Sequence, residues 1–98
     1  MLMFINLQRL DLGFNRLEEI PSFIRTFKHL EEIYLNDNLL TDFSDVLKIR
    51  SIRIINLENN KIEIFPDDVV KPREKRYNKI ILRGNKLESV PDYPFVEL

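Results

Sequence analysis

The chain has 98 residues, 44% of them hydrophobic, and sets 15 Lys and Arg against 16 Asp and Glu for a formal net charge of −1. That length suits one domain over 1–98, and the balanced charge excludes the broad positive surface of a general nucleic-acid or anionic-membrane binder. The absence of cysteine excludes disulfides and thiolate metal sites and favours an intracellular, cytoplasmic setting, and no stretch approaches the length of a membrane span.

The opening MLMFI is apolar, and Met1, Phe4 and Leu7 fall in the same phase as Ile24, Phe27 and Leu30. Residues 1–6 therefore read as the tail of a preceding repeat or as a minimal cap over the first one. From Leu7 a pattern begins that returns three times. The copies are Leu7–Leu17 (LQRLDLGFNRL), Leu30–Leu40 (LEEIYLNDNLL), Ile52–Ile62 (IRIINLENNKI) and Tyr77–Leu87 (YNKIILRGNKL). Their asparagines, Asn15, Asn38, Asn60 and Asn85, are spaced by 23, 22 and 25 residues, a period that belongs to stacked solenoids. The repeats run over about 7–29, 30–51, 52–76 and 77–98.

Inside each copy, apolar and polar residues alternate with period two, which predicts a short strand. Stacked copies predict a four-stranded parallel sheet with Leu10 and Leu12, Ile33 and Leu35, Ile55 and Leu57, and Ile80 and Leu82 turned into the core. Each asparagine follows its strand where the chain must turn sharply, and a buried amide can both donate to and accept from the backbone groups left there. Four in register predict a structural ladder of Asn15, Asn38, Asn60 and Asn85. The registered asparagines, and Ile20-Pro21, Phe65-Pro66 and Val90-Pro91 at one phase, do not follow from a helical bundle, although the spacing of Leu17, Ile20, Ile24 and Phe27 alone would permit one.

The return segments differ. Pro21 at a first helical position, with Ile24 and Phe27 three apart, predicts one or two helical turns, and SDVLKI (Ser44 to Ile49) predicts a helix capped by Ser44. In PDDVVKPREKR, Pro72 interrupts any helix begun at Asp67, which predicts a loop. The final PDYPFVEL reads as a truncated return, with Phe95 and Leu98 left to cover the last repeat and the strand at Lys79 to Arg83 left without a successor.

These copies resemble the leucine-rich repeat family, whose signature L-x-x-L-x-L-x-x-N-x-L each matches with Ile, Tyr or Phe standing in for Leu. The resemblance covers essentially the whole chain. It implies an α/β repeat fold, a right-handed leucine-rich-repeat solenoid with a concave parallel sheet and short helical or irregular convex returns, and a protein-protein interaction module that binds through the concave face. The outward positions of the strands are then the candidate partner-binding residues: Arg9, Asp11, Glu32, Tyr34, Asn36, Ile54, Asn56, Glu58, Lys79, Ile81 and Arg83. Tyr34, Ile54 and Ile81 place large apolar groups there, while Glu31, Glu32 and Asp37 make the second repeat acidic and Lys79 and Arg83 make the fourth basic.

The alternative is a structural unit, a fragment of a longer array or a homodimer formed through uncapped ends. Enzyme signatures are absent. His29 is the only histidine, and Gly13 and Gly84 are the only glycines, so no phosphate-cradling loop can be built. Asp67 and Asp68 lack the further ligands of a metal site, and no cofactor is implied. The basic run Lys71, Arg73, Lys75, Arg76 and Lys79 lacks the interleaved aromatics that stack nucleic-acid bases, and reads as a solvated loop.

Overall fold

The computed structural model of the chain describes residues 6–71, 76–89 and 91–98. The expected cap at MLMFI, the break at Pro72, Arg73 and Lys75 of the basic run, and Val90 lie outside the described residues.

Each alternating core folds as a three-residue strand: β1 (Arg9–Asp11), β2 (Glu32–Tyr34), β3 (Ile54–Asn56) and β4 (Lys79–Ile81). Neighbours pair in parallel, with Leu10, Ile33, Ile55 and Ile80 in one row. Parallel pairing requires a crossover between strands, and the return segment of each repeat supplies it. The inner row is held in place by burial: Ile33, Leu35, Ile55, Leu57 and Ile80 are sealed from solvent together with Leu30, Leu40, Ile52 and Ile62. In the first copy Leu7, Leu10, Leu12 and Leu17 are only partly buried against this core.

The sheet has five strands, not the four expected. β5 (Val96–Glu97) pairs in parallel with β4, and the backbone N–H groups of Ile80 and Leu82 donate to the carbonyls of Phe95 and Glu97, each at 2.8 Å. The edge of β4 is therefore paired. Aromatic packing positions this last segment: the Tyr93 and Phe95 rings stack at 5.2 Å, Tyr93 lies 5.6 Å from Phe65, and Phe95 lies 5.5 Å from Tyr77. Large rings bury enough area to fix a short strand that has little ladder of its own. Leu98, expected to cover the last repeat, is instead 54% exposed.

The returns also depart from expectation in detail. Ser22–Thr26 forms a single 3-10 helix with Pro21 as its N-cap residue. In α1 (Ser44–Leu47), Ser44 is already helical. The Asp42 carboxylate takes the capping role, accepting the Ser44 N–H at 3.2 Å and the Ser44 hydroxyl at 2.9 Å. The expected loop after Pro66 contains a helical turn, α2 (Asp67–Val70), with Asp67 and Asp68 in its first turn. Four residues fit ahead of Pro72, and carboxylates suit the positive end of even one turn. Behind the sheet, Phe43 and Phe65 meet edge to face at 5.7 Å, continuing the row that ends at Tyr93.

Candidate functional site

The turn after each strand is shaped by its asparagine. Asn60 Nδ2 donates to the Leu57 carbonyl of its own turn at 3.0 Å and to the Leu35 carbonyl of the preceding repeat at 2.9 Å, while Oδ1 accepts the Leu40 N–H at 3.0 Å. Asn38 repeats this with Leu35, Leu12 and Leu17, and Asn85 with Leu82, Leu57 and Ile62. Asn38 and Asn60 are buried. Asn15 is exposed, against expectation, and among the described residues donates within its own turn, to the carbonyls of Leu12 and Gly13. The residue before each asparagine is left-handed: Phe14 (φ 57°), Asp37 (φ 59°), Asn59 (φ 59°) and Gly84 (φ 77°). At Gly84 an added Cβ would displace the Asn59 amide oxygen as well as meet the left-handed backbone, so glycine is favoured there on two counts.

On the outward sheet face, the first two strands bring Arg9, Glu32 and Tyr34 together. Arg9 sits opposite Glu32 in the ladder, its Nε is 3.9 Å from Glu32 Oε1, and its guanidinium lies over the Tyr34 ring, 4.7 Å from the centroid. The Tyr34 hydroxyl donates to Glu32 Oε1 at 2.6 Å. That hydrogen bond, reinforced by burial and by the Glu32 charge, raises the Tyr34 pKa above its ordinary value, with Arg9 acting weakly in the opposite direction. The ring is thereby held in one orientation while part of it stays open to solvent.

The other end of the face is closed by ion pairs. Glu97 of β5 lies directly across from Ile81, and its carboxylate contacts Lys79 Nζ at 3.5 Å and Arg83 Nη1 at 3.1 Å. Arg83 also reaches Glu58, at 3.7 Å. Lys79 and Arg83 flank Ile81 on the same side of the strand, so the Glu97 side chain spans it. Ile81, expected as an exposed contact residue, is 9% exposed. The expected cluster of Tyr34, Ile54 and Ile81 is thus reduced to Tyr34 and Ile54, both half-buried. The ladder also places Asn56 between Tyr34 and Ile81.

The remaining outward residues are fixed by local bonds. Asp11 Oδ1 accepts the Gly13 N–H at 2.9 Å, Asn56 Oδ1 accepts the Glu58 N–H at 3.0 Å, and Asn36 Nδ2 donates to Asp37 Oδ2 at 2.9 Å. Sequence reasoning passed over a second pattern, because it followed strand phase only. Where the chain leaves the sheet, Glu63, Asp67, Glu88 and Asp92 line a cavity of about 420 Å³, and Glu18, Glu19, Asp42 and Asp45 line another of about 300 Å³. Where the chain returns, Arg25, Lys28, Lys48 and Arg50 surround a groove of about 440 Å³. Tabulating charge by its distance from each asparagine would have revealed both edges.

The family described as "Leucine Rich repeats (2 copies)" matches residues 5–49. Over 68 residues the chain is 35% identical to Toll-like receptor 8 of Homo sapiens, covering 65% of this chain and 6% of that protein. Over 62 residues it is 34% identical to Receptor-like protein 41 of Arabidopsis thaliana, covering 59% of this chain and 7% of that one. The chain thus corresponds to a small part of the length of these relatives. With its repeats stacked strand on strand and clamped at Asn38, Asn60 and Asn85, it carries the repeats and has the solenoid fold of the leucine-rich-repeat family.

Proposed function

We propose that this protein is an interaction module that binds another protein through the outward face of its sheet, centred on Tyr34 and Ile54. Leucine-rich repeats generally serve protein-protein interaction, and both relatives carry the word receptor in their names. The observation that carries the reading is the fixing of Tyr34 by Arg9 and Glu32. An aromatic side chain already held in place loses little conformational freedom on binding, and tyrosine is a favoured anchor. Arg9, Asp11, Glu32, Asn36, Asn56 and Glu58 surround it as a polar rim. At the far end, Lys79, Ile81 and Arg83 contribute through a surface already neutralised by Glu97 and Glu58, which sets a boundary to the contact. An intracellular location accompanies this reading, supported by the lack of cysteine. The end-to-end dimer loses its main support, since β5 pairs the edge of β4 on which it depended.

The test compares capture by the wild-type chain, by Tyr34→Ala with Ile54→Ser, and by a variant in the first return, Ser22→Ala. A partner retained by wild type and Ser22→Ala but lost by the sheet-face variant, with unchanged circular dichroism, supports the proposal. Equal capture by all three moves the contact off the sheet.

A further inference from the structure

We propose that the groove on the return edge is a second binding site, taking a short acidic peptide segment that carries an aliphatic side chain between its carboxylates. The groove is formed by the ends of two successive returns: Arg25, Phe27 and Lys28 from the first repeat, and Lys48, Ile49 and Arg50 from the second. Its lining contains four cations and no carboxylate. The four charged side chains are exposed, while Phe27 and Ile49 are 8% and 6% exposed and form the apolar floor.

The cations here differ from those of the sheet. Arg9, Lys79 and Arg83 each meet a glutamate within the protein. Lys48, just past α1, has a partner in that helix, Asp45, at 3.3 Å. Among the described residues, Arg25, Lys28 and Arg50 form no ion pair. A net charge of −1 therefore conceals a local excess of unmatched positive charge, while glutamates and aspartates gather in two other cavities, one of which meets this groove at the Asp45–Lys48 pair. An anionic ligand is repelled from the acidic cavities and drawn to the groove, which favours encounter in one orientation.

The floor distinguishes a peptide from other anions. Inorganic phosphate would use the cations alone. A membrane surface is flat and cannot reach apolar atoms at the bottom of a groove. Nucleic acid binds as a single strand by stacking successive bases on aromatic side chains, and the lining holds one ring, Phe27. An extended chain segment can lay its carboxylates against the rim and insert one side chain between them.

The experiment titrates the full chain into a fluorescein-labelled peptide with glutamates on both sides of a leucine and follows polarisation. The expected result is saturable binding that weakens as salt is added. It should weaken by at least about tenfold in Arg25→Glu with Lys48→Glu, and likewise in Lys28→Glu with Arg50→Glu. Replacing the peptide leucine by serine should also weaken it. Tyr34→Ala should leave peptide binding unchanged, so this site and the sheet-face reading stand or fall separately. The altered side chains are exposed, and matching circular dichroism confirms folding. No binding to wild type, or equal binding to the reversal variants, overturns the proposal. So does binding to phosphatidylserine vesicles without binding to the peptide, or self-association of the chain that the peptide does not compete away.

Discussion

Asn60 spans two layers of the solenoid: its Oδ1 accepts the backbone N–H of Leu40, twenty positions earlier, at 3.0 Å. The same amide donates to Leu35 and Leu57. Truncation strands these buried groups without partners, so Asn60→Ala should cost about 1–3 kcal/mol. Asn15, exposed and bonded, among the described residues, within its own turn, should cost less than about 1 kcal/mol when changed to alanine. Urea midpoints for the two variants should separate clearly.

Ionisation of Tyr34 would place a phenolate against the Glu32 carboxylate. Its pKa is raised from 10.0, first by the hydrogen bond to Glu32. An acid whose pKa is higher in the folded state adds stability that is complete below its unfolded pKa and is lost as pH rises through the folded one. The alkaline fall in stability should therefore include a component that Tyr34→Phe removes. In Glu32→Ala the Tyr34 ring resonances should titrate at lower pH than in wild type.

Removing the Glu97 carboxylate breaks the contacts with Lys79 and Arg83 together. Each is a partly exposed pair, for which about 0.2–1 kcal/mol is usual. Glu97→Ala should loosen β5 and uncover Ile81, and hydrogen exchange should quicken at the Ile80 and Leu82 amides, which donate into β5. The amide of Leu35, bonded to Asn56, should be unaffected.

Phe14 is left-handed at φ 57° and 79% exposed, so it bears a conformational penalty of about 1–2 kcal/mol with little burial to offset it. Phe14→Gly should raise thermal stability by up to about 1 kcal/mol, once the greater freedom of glycine in the unfolded chain is allowed for. Gly84→Ala should lower it, because the added Cβ meets Asn59 at the same kind of turn.

The repeat was legible because burial leaves a periodic trace: Leu10, Ile33, Ile55 and Ile80 fall in one row on spacing alone. β5 left no such trace. Two residues, Val96 and Glu97, carry no repeat signature, and what holds them is the packing of Tyr93 and Phe95 on rings far away in sequence. Ile81 was misjudged for a related reason, since alternation tells which side a residue faces but not that a glutamate from a neighbouring strand will lie over it. At α2, one short turn needed less sequence than proline rules suggested, because it closes before Pro72 is reached.

Asn38, Asn60 and Asn85 all reach backward, to the repeat already laid down. The asparagine fastening between two layers is thus carried by the later of the two. A segment excised with its asparagine keeps this fastening, which needs from its new neighbour only main-chain groups, which every sequence supplies. Shuffled or duplicated units should remain joinable in one direction, so length can change by whole units without redesigning the joints. The β5 layer lacks such a fastener among the described residues and depends on rings and ion pairs instead, which makes it the layer whose attachment is written in side chains specific to this protein.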